Sequence, residues 1–144
     1  RHSSDLGHIH KNGGGFVADS AIVEETAFID KSAQICGNAK VKENAKVLMN
    51  AVVEDQAEVS GNAIVSLSSK IYGEAKVSEN AKVDGAAKVF GKSKINGSAK
   101  ITGMSEVFQN ATVTDSALVS GKSKVFGNAL IKGNTKVLFN KEVK

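Results

Sequence analysis

The residues best suited to metal chemistry are three histidines near the start of the chain, His2, His8 and His10. The His8-Ile9-His10 spacing puts two imidazoles on one side of an extended strand, where they could share a metal ion or face a symmetry-related copy. Two ligands do not complete a metal site, and an exposed polar segment is the simpler interpretation. We therefore predict no metal site and no cofactor.

The other reactive side chains do not form a recognisable catalytic set. The run Gly13-Gly14-Gly15 is followed by neither a helix nor the Lys-Ser/Thr pair of a phosphate-binding loop. Cys36 is the only cysteine, which excludes an internal disulfide, and its outward position lacks the nearby histidine that activates a thiol. The carboxylates Glu54, Asp55 and Glu58 cluster locally, but we expect them at solvated positions. The sequence thus predicts no catalytic residue.

The elements that position all these residues follow from a six-residue repeat. Between Val17 and Val143, all 22 positions in this register are Val or Ile. The fifth position of the 21 complete hexads is Ala in 15, Ser in 4 and Thr in 1, with Lys141 the exception. Because alternate side chains of a strand share a face, this small residue and the next Val or Ile point inward together. Gly and Asn are common at the third and fourth positions of the hexad, and they predict a tight corner there.

Such short strands cannot bury a face alone, so the hexads must coil and stack on one another. Units such as Val41-Lys42-Glu43-Asn44-Ala45-Lys46 closely resemble the hexapeptide-repeat proteins, in which three hexads form one triangular coil of a left-handed parallel β-helix. The resemblance implies an all-β solenoid with 18-residue coils, about seven coils and roughly 34 Å tall. The left hand comes from the resemblance alone, because strand crossovers are otherwise almost always right-handed.

The register also predicts the domain organisation. Residues 17–144 form one repeat domain, and residues 1–16, which show no hexad, form an N-terminal loop or cap. At the other end, Lys141 occupies an inward position, where a capping charge is the simplest interpretation. No apolar run is long enough to span a membrane, and the sequence does not indicate a compartment.

The resemblance also provides a test for enzymatic activity. Segments such as 13–21 resemble uncharacterised bacterial and phage-associated members of the family, for which a transferase activity is suggested by fold analogy. Fold analogy is weak support for a reaction. The family's acyltransferases use a solenoid histidine and commonly a protruding loop, and its carbonic anhydrases hold zinc with three histidines. This chain has no histidine after His10 and no inserted loop. We expect a noncatalytic protein, with an acyltransferase-like enzyme whose site lies at trimer contacts as the alternative.

The 18-residue coil period shows an outward row of aromatic residues, Tyr72, Phe90, Phe108 and Phe126. We call this row the aromatic ladder. Four large rings, each able to bury about 150–250 Å², form a patch at or above what soluble monomers usually expose. Stacking could simply stabilise neighbouring coils, by about 0.5–1.5 kcal/mol per pair. We favour the other interpretation, a homo-oligomer or protein-partner interface.

Three lysines, Lys70, Lys88 and Lys124, flank the aromatic ladder, and the formal net charge is +4. A basic surface with aromatic rings could attract nucleic acid or an anionic glycan. Because lysines occur on all three faces among interspersed acids, such binding is the less favoured expectation. The sequence therefore predicts a rigid scaffold, binding or assembly module that uses these seven residues as its contact surface.

Overall fold

The computed structural model describes residues 6–144 as an all-β parallel solenoid of about seven turns, which confirms the predicted architecture. In this part of the chain no helix is long and apolar enough to cross a membrane. The strands are β1 (Gly7–Ile9), β2 (Phe16–Ala18), β3 (Ile22–Val23), β4 (Phe28–Ile29), β5 (Gln34–Ile35), β6 (Lys40–Val41), β7 (Lys46–Val47), β8 (Val52–Val53), β9 (Glu58–Val59), β10 (Ile64–Val65), β11 (Lys70–Ile71), β12 (Lys76–Val77), β13 (Lys82–Val83), β14 (Lys88–Val89), β15 (Lys94–Ile95), β16 (Lys100–Ile101), β17 (Glu106–Val107), β18 (Thr112–Val113), β19 (Leu118–Val119), β20 (Lys124–Val125), β21 (Leu130–Ile131), β22 (Lys136–Val137) and β23 (Glu142–Val143).

From β2 onward every third strand joins the same sheet, so each sheet is one side of the solenoid. The sheet that carries the aromatic ladder, which we call the ladder sheet, has the order β1-β2-β5-β8-β11-β14-β17-β20-β23. The second sheet runs from β4 to β22 and the third from β3 to β21. Paired residues are 18 positions apart, as in Lys70 with Lys88 and Ile71 with Val89. Chemically equivalent positions therefore line up in columns along the solenoid.

The core contains the two inward residues of each hexad. Along the central coils the inward Val, Ile and Ala side chains are fully buried. Serine replaces alanine at four buried positions without an unsatisfied hydroxyl. The Ser69 hydroxyl, for example, donates to the carbonyl of Ser66 at 2.7 Å. A local hydrogen bond of this kind lets serine occupy a buried position that is alanine in most hexads.

The corners share one backbone conformation. From Gly37 to Phe139, every sixth residue of the described chain has a positive φ. Five of the non-glycine residues there, Glu43, Asp55, Glu79, Gln109 and Asp115, accept a hydrogen bond from the backbone N–H of a glycine one coil further on. These side chains link successive coils and offset part of the cost of the left-handed conformation.

Glycine is required at some corners because the next coil lies very close. At Gly91, where φ is +66°, an added Cβ would lie 2.6 Å from the backbone nitrogen of Gln109. At Gly133, where φ is +63°, an added Cβ would meet no atom within 4 Å. The two positions therefore share a backbone conformation and differ in steric room.

This difference gives a matched pair of variants. We expect Gly133→Ala to lower the free energy of unfolding by about 1–2 kcal/mol, the cost of left-handed backbone for a residue with a Cβ. Gly91→Ala should cost at least twice as much, because the backbone of the next coil must also move. Urea denaturation of both variants measures the difference. A Gly91→Ala variant no less stable than Gly133→Ala would contradict the close stacking.

The N-terminal segment covers part of the first coil. Strand β1 pairs antiparallel with β2, and the backbones of Asn12 and Gly15 bond to Ile29 on the second sheet. The ring of Phe16 lies over Gly7, where the missing side chain makes room. Cys36, expected at an outward position, is consequently buried in a small cluster with Phe16 and Ala18. The inward position of Lys141, by contrast, is exposed, since no described coil stacks on it.

Candidate functional site: the ladder sheet

The four rings of the aromatic ladder stack face to face along the ladder sheet. Successive ring centroids are 4.8, 5.0 and 5.2 Å apart, and the interplanar angles are 5°, 2° and 7°. Each ring follows an inward residue on β11, β14, β17 or β20, so the strand spacing of about 4.8 Å sets the ring spacing. The 18-residue period thus predicted the stack.

Stacking changes which part of each ring can meet a partner. All four aromatic residues are half-buried, because the inner rings cover one another's faces. The ring edges remain at the surface of the sheet. The apolar patch is therefore a continuous strip of ring edges, and it is narrower than four separately exposed rings would be.

Charged residues bound this strip at both ends. The same column contains Glu54 one coil before Tyr72, and Lys144 one coil after Phe126. The adjacent outward column contains Lys70, Lys88, Glu106, Lys124 and Glu142 in successive strands. An apolar centre with a polar rim is the usual composition of a protein interface.

The lysines beside the ladder extend into solvent. Lys70, Lys88 and Lys124 are all exposed. Lys88 and Glu106 are register neighbours on β14 and β17. The Lys–carboxylate pair found within 4 Å in residues 6–144 is Lys42 with Glu58, at 3.7 Å, on the outside of the third sheet. The lysines of the ladder sheet thus have side chains that can reach a partner.

Comparisons with known proteins do not assign the chain to a group. No family model matches it, and a search of curated proteins finds no significant match.

Two shallow concavities follow the edge between the ladder sheet and the third sheet. One has a volume of about 430 Å³ and the other about 480 Å³. The second lies directly beside the ladder, and its lining is Gly91, Lys92, Gln109, Asn110, Gly127 and Asn128. Amide and lysine side chains here can donate hydrogen bonds to a partner that covers the adjacent rings.

The two described histidines have different partners. The Nε2 of His10 lies 2.9 Å from the carbonyl oxygen of Ala27, so a protonated Nε2 donates to the edge of the first coil. His8 remains exposed, with its Nδ1 3.4 Å from a carboxylate oxygen of Asp19. His2 lies outside the described residues. Within 6–144, no group of three or more His, Cys, Asp or Glu side chains is arranged to hold a metal ion.

The carboxylate cluster singled out in the sequence is partly structural. Asp55 accepts a hydrogen bond of 3.0 Å from the backbone N–H of Gly73, at the equivalent corner of the next coil. Sequence reasoning placed Asp55 at a solvated position and missed this bond. The available signal was the pattern of an acidic or amide corner residue followed by glycine 18 positions later. The same pattern and the same bond occur at Glu43, Glu79, Gln109 and Asp115.

The pKa of the Tyr72 hydroxyl depends on the position of this ring in the ladder. Burial raises the pKa of its hydroxyl above 10.0, and the negative charges of Glu106, Glu54 and Asp55 raise that pKa further. Both causes disfavour the phenolate. The chain contains one tyrosine and no tryptophan, so the ultraviolet absorbance of the phenolate form follows this ring alone.

We expect an absorbance titration of the folded protein to give a Tyr72 midpoint above 10 and the urea-unfolded chain to give about 10. Glu106→Gln should lower the folded midpoint. Because the folded state holds this proton more tightly, the free energy of unfolding should fall as the pH rises above 10. Equal midpoints for the folded and unfolded chains would contradict the half-buried position of the ring.

Proposed function

We propose that this protein is a noncatalytic, rigid assembly or binding module that contacts itself or a protein partner through the aromatic ladder. The observation that carries this proposal is the stack of four rings on one side of the solenoid, at spacings of 4.8–5.2 Å. A rigid row of aromatic edges loses little conformational entropy on binding, which suits a contact surface.

The fold supports a mechanical role for the rest of the chain. Parallel strands in three sheets and a core of Val, Ile and Ala hold the ring spacing constant along the solenoid. The contact surface is therefore preorganised, and no loop has to become ordered before a partner can bind. Lys70, Lys88 and Lys124 would then orient the partner, because rim charges contribute more to orientation and association rate than to affinity.

We also propose that the solenoid is left-handed and of the hexapeptide-repeat class. Support comes from the unbroken Val/Ile register and the corner glycines, both of which that class uses. Family membership by itself does not assign a reaction.

Solution mass tests the proposal, since one chain weighs 15.0 kDa. We expect sedimentation to give either a multiple of this mass or a defined partner complex. Calorimetry tests the acyltransferase alternative: we expect no saturable heat with acetyl-coenzyme A, whereas a stoichiometric binding isotherm would favour the enzyme.

A further inference from the structure

We propose that the occupant of the ladder sheet is a second copy of this chain, packed face to face with its solenoid axis reversed. This inference rests on the proposed function, because it names the partner of the same surface. The copies would be related by a two-fold axis that lies in the interface, perpendicular to the solenoid axis, and passes midway between Phe90 and Phe108.

The aromatic ladder is self-complementary under this rotation. Phe90 faces the partner's Phe108, and Tyr72 faces the partner's Phe126. The coil spacing is the same in both copies, so the two rows of ring edges meet in register along their whole length. An isologous contact of this kind closes after two copies.

Charge complementarity at the centre of the ladder supports the reversed arrangement. The rotation places Lys88 opposite the partner's Glu106, and this opposite-charge pair occurs twice because of the symmetry. One like-charge pair also occurs twice, Lys70 opposite the partner's Lys124, and Val52 lies opposite the partner's Glu142. The interface therefore has a central attraction and one identifiable repulsion.

The available area predicts a weak, reversible dimer. Six strands, from β8 to β23, overlap under the rotation, which gives about 29 Å at a strand spacing of about 4.8 Å. A side of six residues is at most about 20 Å wide. The contact area, which is this length multiplied by this width, is at most about 600 Å² per copy. That area is at the lower end for specific interfaces.

The like-charge pair provides the sharpest test. Lys70→Glu should tighten the dimer, because the carboxylate introduced in each copy would meet the partner's Lys124. Lys88→Glu and Glu106→Lys should each weaken it, and the combined variant should return close to wild-type affinity. We expect changes of roughly three- to tenfold in the dissociation constant, measured by sedimentation equilibrium. Lys94→Glu is the matched control, since Lys94 is an exposed lysine at the same strand position of the third sheet.

The outcomes separate this inference from the proposed function. A monomeric wild type, a weaker Lys70→Glu dimer, or no recovery in the combined variant would overturn the reversed dimer. If Phe90→Ser/Phe108→Ser still abolishes self-association while the charge variants fail, the ladder is the contact surface and only the arrangement is wrong. If the dimer persists without the rings, the proposed function fails as well. Thermal unfolding of each variant confirms that it is folded.

Discussion

Replacing the inward Ala81 with leucine should lower the melting temperature by about 3–10 °C. Ala81 is fully buried, and its column neighbours Ala63 and Ala99 are fully buried too. Extra carbons in such a close-packed interior cost about 1–3 kcal/mol, because side chains and backbone must shift to accommodate them. Circular dichroism during heating measures the change.

The next residue along the chain provides the control. Lys82 lies on the opposite face of β13 and is exposed. Lys82→Leu should change the free energy of unfolding by no more than about 0.5 kcal/mol. Leucine is already tolerated in this outward column at Leu118. Equal losses from the two substitutions would mean that the inward and outward register is wrong.

The second large effect is expected from Phe90→Ser/Phe108→Ser. This double change removes all three stacked ring pairs, because every pair includes Phe90, Phe108 or both. At about 0.5–1.5 kcal/mol per pair, the free energy of unfolding should fall by about 2–4 kcal/mol. The larger consequence should be functional, with the assembled species replaced by a chain of monomer mass in sedimentation velocity.

A matched double variant separates the ladder from apolar area in general. Ile64 and Leu118 are half-buried outward residues on the second sheet. Ile64→Ser/Leu118→Ser removes comparable apolar groups and should leave the assembly unchanged. If this variant dissociates the assembly and the ladder variant does not, the contact surface lies on the second sheet.

Sequence reasoning was most successful where the repeat alone determines the structure. The sheet register, the inward Val and Ala columns and the stacking of Tyr72 on Phe90 all depend on strand alternation and the 18-residue period. Both can be counted in the sequence, and neither depends on contacts outside the repeat.

It was less successful where a contact is not periodic. Phe16 and Cys36 occupy outward positions of the register and are nevertheless buried, because the non-repeating segment around Gly7 packs against the first coil. His10 was considered as a metal ligand, and its Nε2 lies against the carbonyl of Ala27. The hexad pattern contains no information about these contacts, since only the three-dimensional path of residues 6–16 creates them.

Hydroxyl-radical footprinting as a function of protein concentration tests the central claim most directly. We expect Phe90, Phe108 and Phe126 to become protected as the assembly forms. Phe28 on the second sheet and Phe139 at a corner should stay equally reactive. Phe139 is 79% exposed and gives a strong reference signal. If ladder reactivity does not change between monomer and assembly, or if Phe28 is protected instead, the aromatic ladder is not the contact surface.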